Sequence, residues 1–221
     1  MDRKKYIAVG DIHGCAATLK ALLDKLGEHN DRSFIFVGDY IDRGPSSKEV
    51  VDYLLDFRNQ ADCIFLRGNH EQMMLDAMEG GDKHIWIRNG GRDTIDSYKE
   101  DGGQFHLPDE HLRFYKSTKF YFDTEDYFFV HAGLSPTETI EQSLKKDKAV
   151  QNFLWERSHL NIHDQPWEKK VIFGHTPRPQ PVNEEKMIGI DTGCVYDRIG
   201  LGKLTAIKLP EEEFVQQNCI D

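Results

Sequence analysis

Three short apolar runs, each leading into a glycine followed by Asp or Asn, constrain this chain more than any other feature. Residues 6–9 run into Gly10-Asp11-Ile12-His13-Gly14, and residues 33–37 into Gly38-Asp39-Tyr40-Ile41-Asp42-Arg43-Gly44. Residues 63–66 lead through Arg67 to Gly68-Asn69-His70-Glu71. Behind each motif the apolar spacing turns helical: Leu19, Leu22, Leu23 and Leu26, then Val50, Val51, Leu54 and Leu55, then residues 72–78. Gly27 closes the first helix and Pro45-Ser46-Ser47 opens the second. Strand, polar motif and helix, repeated in this way, predict an α/β chain with a layered core. In such sheets ligands bind beyond the carboxyl ends of the strands, which is where these motifs sit.

Residues 80–118 break the rhythm. Gly80-Gly81, Gly90-Gly91 and Gly102-Gly103 punctuate a polar stretch with few strand signals, predicted as a small helical excursion. Strand patterning resumes at 120–122 and at 127–130, which ends at His131-Ala132-Gly133. Residues 171–173 end at Gly174-His175-Thr176, 187–190 end at Asp191, and 204–209 close the fold. No linker divides the chain, so one domain over 1–221 is expected.

These motifs supply two sets of metal ligands. Asp11, His13 and Asp39 can hold one ion; Asp39, Asn69, His131 and His175 can hold another, with the Asp39 carboxylate bridging both. Oxygen and imidazole ligands without cysteine suit divalent transition metals better than a structural zinc. Manganese, iron, zinc, cobalt and nickel all accept such donors. Ions roughly 3.5–4 Å apart clamp the attacking and leaving oxygens of a phosphate ester, and bridging water loses a proton near neutral pH. Arg43 can fork onto phosphate oxygens, with Asn69 beside it. His70 can protonate a leaving alkoxide as general acid, and Asp42 can hold that imidazole cationic and oriented.

In this order the five motifs resemble the phosphoprotein phosphatase family of serine/threonine phosphatases, from residue 10 to about 205. Gly-Asp-x-x-Asp-Arg-Gly is the discriminating element. Gly68-Asn69-His70-Glu71-Gln72-Met73-Met74 and Trp86-Ile87-Arg88-Asn89-Gly90-Gly91 are most similar to the small bacterial and phage branch. The resemblance implies a metallophosphatase fold, a central β-sandwich of mixed sheets flanked by helices, and two divalent metal ions, manganese first. It gives Arg157, in Trp155-Glu156-Arg157, a phosphate-binding role. The family's late Asp-Thr-Gly segment corresponds to Asp191-Thr192-Gly193, packed beside the site. The loop 196–203 is several residues longer than the usual turn and is expected to overhang the cleft.

The leading expectation is therefore a dinuclear-metal phosphomonoesterase acting on phosphoserine and phosphothreonine in proteins through a metal-bridging hydroxide, with phosphotyrosine left open. The alternative is hydrolysis of diadenosine tetraphosphate, whose nucleotidases share the five motifs. A non-catalytic metal-binding scaffold is a third reading, disfavoured because every ligand and the acid are retained. A net charge of −10 argues against a nucleic-acid partner, so positive charge must be local, from cations and arginines. A cytoplasmic monomer is expected, with no signal peptide and no apolar run of the roughly 18 residues needed to cross a membrane.

The four cysteines lie far apart in sequence and read as reduced, mostly buried thiols. Glu71 reads as structural and Arg67 as an internal ion-pair partner. His29, His84, His106, His111, His159 and His163 read as surface residues, Lys145 to Lys148 as a solvated helix face, and Glu211-Glu212-Glu213 as a solvated tail.

Overall fold

The computed structural model describes residues 4–27, 31–100 and 102–221, so the expectations for residues 1–3 and for His29 lie outside the described residues. The α/β reading holds: two mixed sheets are stacked and flanked by helices. In chain order the strands are β1 Lys5–Val9, β2 Arg32–Phe36, β3 Cys63–Phe65, β4 Tyr121–Asp123, β5 Tyr127–Val130 and β6 Lys170–Phe173. They continue as β7 Val182–Asn183, β8 Met187–Gly189, β9 Asp191–Thr192, β10 Lys203–Leu209 and β11 Glu213–Asn218. The helices are α1 Ala16–Leu26, α2 Ser47–Phe57, α3 Asn69–Met78, α4 Lys83–Trp86, α5 Arg92–Ser97, α6 Asp109–Ser117, α7 Ile140–Leu144 and α8 Ala149–Trp155.

One sheet has the order β11-β10-β1-β2-β3, with β9 also on β10; the other runs β4-β5-β6-β8-β7. Strands β1, β2 and β3 are mutually parallel, as are β5, β6 and β8. Parallel strands buried on both faces need apolar residues at every position, which explains their unbroken apolar runs. Period two then sorts the side chains. Tyr6, Ala8, Ile35 and Val37 meet Phe129, Ile172 and Ile188 between the sheets. Ile7, Val9, Phe34 and Phe36 face outward onto α1 and α2. On the far side, Phe128, Val130, Val171 and Phe173 pack against Ile140, Ala149 and Phe153. The result is a four-layer stack that exposes both sets of parallel-strand carboxyl ends along one edge.

Several sequence expectations change. α3 begins at Asn69, earlier than 72, because Glu71 accepts the Gly68 amide and caps the helix from its own first turn. The acidic segment near 211 is no free tail: Glu211 pairs with Arg32, Glu212 with Lys170, and Glu213 starts β11. His111 and His159 are buried. Cys63 and Cys219 are half-buried, whereas Cys15 and Cys194 are buried. Arg67 donates to Thr118 Oγ1, Gln72 and the carbonyls of Tyr115 and Lys116, so it braces a loop through neutral acceptors. Among the described residues no helix is long and apolar enough to cross a membrane.

Candidate functional site

The site gathers at the strand ends. Asp11 and His13 follow β1, Asp39 to Arg43 follow β2, and Asn69 and His70 form the first turn of α3. His131 follows β5 and His175 follows β6. Asp11, His13, Asp39, Asp42, Asn69, His70, His131 and His175 are all buried. The turns that deliver them are tight. Among the described residues, five of the six non-glycine positions with positive φ are His13, Asp39, Asp42, Arg43 and His175. Such left-handed backbone costs roughly 1–3 kcal/mol per residue and persists only where the surroundings enforce it. Gly68 and Gly174 permit close approaches, since a Cβ at either would collide with Asp39 Oδ1 or Asp11 Oδ1 respectively.

Asp39 Oδ2 sits 3.5 Å from both His13 Nε2 and His131 Nε2, so one carboxylate oxygen faces both proposed ligand sets. On one side, Asn69 Oδ1 is 3.0 Å from His131 Nε2 and 3.0 Å from His175 Nδ1, and those two nitrogens are 3.2 Å apart. On the other, the Arg43 guanidinium reaches His13 Nε2 at 2.5 Å. Asp11 accepts the His175 amide on both carboxylate oxygens, at 3.1 and 2.9 Å. His13 Nδ1 donates to Ile41 O at 2.8 Å and His131 Nδ1 to Val37 O at 3.0 Å. These bonds fix the tautomers, leaving each Nε2 lone pair aimed inward as a metal-ligating histidine requires.

The electrostatics match a cation site. Burial lowers His13 and His131 and takes His175 down to about 2, so all three are neutral imidazoles. Burial would raise Asp39, but His131, His70, His13 and His175 together hold it low. Burial and neighbouring carboxylates raise Asp11, and burial raises Asp191 to about 7. Buried carboxylates crowded with lone-pair nitrogens are costly without positive charge between them. The guanidinium at His13 Nε2 stands where a cation would sit, and the donors present fit divalent ions.

His70 Nδ1 meets Asp42 Oδ2 at 2.6 Å, and its Nε2 lies 3.9 Å from Asp39 Oδ2. Burial works against the imidazolium, yet Asp39 and Asp42 raise His70 above its usual range. Residues that sequence reasoning missed hold Asp42. Trp86 Nε1 donates to both its oxygens at 3.0 Å, and the Thr94 hydroxyl donates to Oδ1 at 2.6 Å. Both come from the helical excursion, whose purpose is thereby plain. Gly90, at φ 107°, accepts the Arg43 amide on its carbonyl and leaves room that a Cβ would take from Arg43. From the long loop, Tyr196 covers Arg43, with the guanidinium 5.6 Å from its ring centre.

Arg157 differs: its side chain is exposed, and its charge is felt by His131 and His175. Trp155 is 42% exposed and lies edge-on to His175 at 5.9 Å, so that segment is not core.

Residues 4–198 match the calcineurin-like phosphoesterase family, and the chain belongs to it. It is similar to the bis(5'-nucleosyl)-tetraphosphatase PrpE [asymmetrical] of Oceanobacillus iheyensis, 29% identical over 237 residues covering 96% of this chain and 91% of the relative. The protein of that name from a Geobacillus species is also 29% identical, over 96% of this chain and 93% of its own length. In fold, a candidate diadenosine tetraphosphatase matches with TM-score 0.67 and 22% identity, over 97% of this chain and 93% of its own. A protein serine/threonine phosphatase from Saccharomyces cerevisiae matches with TM-score 0.64 and 19% identity, over 98% and 80%. The expectation of a phosphoserine/phosphothreonine phosphatase is overturned by these nucleotide-hydrolysing relatives. The five motifs describe how phosphate oxygens are gripped and how a departing oxygen is met by an acid, which esters and anhydrides share, and none of them reads the rest of the group that leaves.

Proposed function

We propose that the chain hydrolyses dinucleoside tetraphosphates, cleaving them asymmetrically. The observation that supports this is likeness, across 96% of the chain, to relatives named for that activity. Asp11, His13 and Asp39 would hold one divalent ion, and Asp39, Asn69, His131 and His175 a second; manganese is the first to test, ahead of iron, zinc, cobalt and nickel. Such a pair neutralises phosphate charge and makes water nucleophilic near neutral pH.

The protein's own groups do the rest. Arg43 swings between His13 and the phosphate chain, and its planar fork suits two oxygens at once. Arg157, free at the surface, supplies a second positive charge to a long anionic substrate. His70 keeps a proton on Nδ1 through Asp42 and offers the Nε2 proton to the departing oxygen. The retained thiols support a reducing, cytoplasmic setting. No nucleic-acid, membrane or protein partner is needed for this chemistry.

The test is direct competition: manganese-loaded protein given diadenosine tetraphosphate or a phosphoserine peptide. The expected result is AMP and ATP as products, with kcat/KM for the dinucleotide at least roughly 100-fold higher. A preference for the peptide, or ADP as sole product, overturns the reading.

A further inference from the structure

Three of the four cysteines, scattered in sequence, converge in a group that shares no side chain with the Asp39 cluster. Cys15 precedes α1, Cys194 follows β9 and Cys219 follows β11, yet their sulfurs lie within 4.8 Å of one another. All are free thiols.

Their meeting is anchored from several directions. The Cys219 amide donates to Gly202 O at 2.8 Å, and the Ile220 amide to Thr18 Oγ1 at 2.9 Å. The Asp221 side chain accepts the Ala17 and Thr18 amides at 2.9 Å and the Thr18 hydroxyl at 2.6 Å. The segment after β11 is thus drawn onto the first turn of α1. An open cavity of about 450 Å³, lined by Cys194, Tyr196, Arg198, Leu201, Cys219 and Asp221, gives access from solvent.

Apolar burial explains Cys15 and Cys194. It does not explain Cys219, which is half-buried and lowered to about 5. The Cys194 thiol beside it contributes most, working against burial, and the Asp221 amide assists. Three free sulfurs this close together, one of them reachable from solvent, form a ligand set for a single cation.

We propose that Cys15, Cys194 and Cys219 form a three-sulfur site for a single thiophilic cation of the Cu(I) or Zn(II) type, distinct from the Asp39-centred cluster. Thiolates select such ions, while the oxygen-rich cluster suits harder ones. Metal–sulfur bonds of about 2.3 Å place three sulfurs roughly 4 Å apart around one ion, so the native spacing needs less than about 1 Å of closure. Binding displaces the remaining thiol protons to solvent and changes no oxidation state. The Cys15 thiol donates to His13 O at 3.6 Å, a bond that ligation of this sulfur releases as its proton leaves.

The experiment titrates Cu(I), and separately Zn(II), anaerobically against a chromophoric chelator. It uses the full chain and its Cys194→Ser, Cys219→Ser and Cys63→Ser variants, with circular dichroism confirming the fold. The full chain and Cys63→Ser should bind an ion whose X-ray absorption shows a sulfur shell. Losing a ligand should weaken binding by at least the roughly 10–100-fold that outer contacts cost. Cys219, half-exposed, keeps the test open if Cys194→Ser fails to fold. Equal affinity in the full chain and Cys219→Ser, or an absorption shell without sulfur, overturns the site.

Discussion

Replacing Glu71 by Gln tests what holds the two central motifs together. Glu71 Oε2 accepts the Gly68 and Asp39 amides, both at 2.9 Å, and Oε1 accepts the Tyr40 amide at 2.8 Å and the Ile41 amide at 3.4 Å. Burial and Asp39 push this carboxyl upward, but four amide donors distributed over two oxygens are the partners of an anion. Glutamine keeps one acceptor and turns an NH2 group toward the other pair. The cheaper orientation sacrifices the Tyr40 and Ile41 bonds. With the 3.4 Å Ile41 contact too long to add much, the lost Tyr40 bond to a charged acceptor, plus its stranded buried amide, comes to roughly 3–5 kcal/mol. That is a large share of the about 5–15 kcal/mol that typically separates folded from unfolded. Urea unfolding of both proteins, compared at equal m, measures it. A loss below about 1 kcal/mol refutes the reasoning, because a neutral carboxyl would be mimicked by the amide almost without cost.

Asp39→Asn should reduce bound divalent metal from about two ions per chain to one or fewer by elemental analysis, since one carboxylate oxygen serves both ligand sets; full occupancy would sink the bridging role. His70→Asn should slow hydrolysis of phenyl phosphate by roughly 10²–10⁴-fold and of diadenosine tetraphosphate by less, because a nucleotide leaves as a stable anion; equal losses would remove the acid from its role. His159 lies buried against Phe173, with neither ring nitrogen partnered, and burial lowers it to about 4. The unfolded chain therefore takes up this proton first, so stability present above about pH 6.5 should fall as pH drops toward 4, by up to roughly 3 kcal/mol. His159→Leu should flatten that limb in urea unfolding at pH 7.5 and 5. Asp221→Ala should cost about 1 kcal/mol by the same assay, as loss of an N-terminal helix cap does, because α1 has no acidic residue in its own first turn.

The layers, and the gathering of the candidate ligands at the strand ends, were legible because they depend on local patterns. Unbroken apolar runs mark strands covered on both faces, and a glycine next to all the proposed ligands but His131 marks a turn that lets backbones come close. What stayed hidden depends on contacts between distant segments. Nothing about Trp86 or Thr94 as single residues signals that they clasp Asp42. The acidic triplet near 211 looks like a solvated tail until Arg32 and Lys170 are seen opposite Glu211 and Glu212. His159 reads as a surface residue from its polar neighbours, while the fold places it on Phe173 beneath Gly133. The cysteines show no paired spacing, since three different elements bring them together.

Substrate choice escaped the sequence for a different reason. As the proposed metal ligands, Asp11, His13, Asp39, Asn69, His131 and His175 would act on what every phosphate substrate has in common, oxygen atoms carrying negative charge. Discrimination lies in the leaving group. A serine alkoxide needs a proton badly; a nucleotide phosphate hardly does. Retaining His70 and Asp42 therefore does not argue for an ester, because an enzyme cleaving an anhydride can keep the same pair to orient the departing oxygen. What distinguishes the two is room and charge for a long polyanion. Under the proposed function, the surface-exposed Arg157 and the Tyr196 loop over Arg43 are the groups to supply them. Their roles should show in KM for the dinucleotide, whereas the buried ligands should show in kcat.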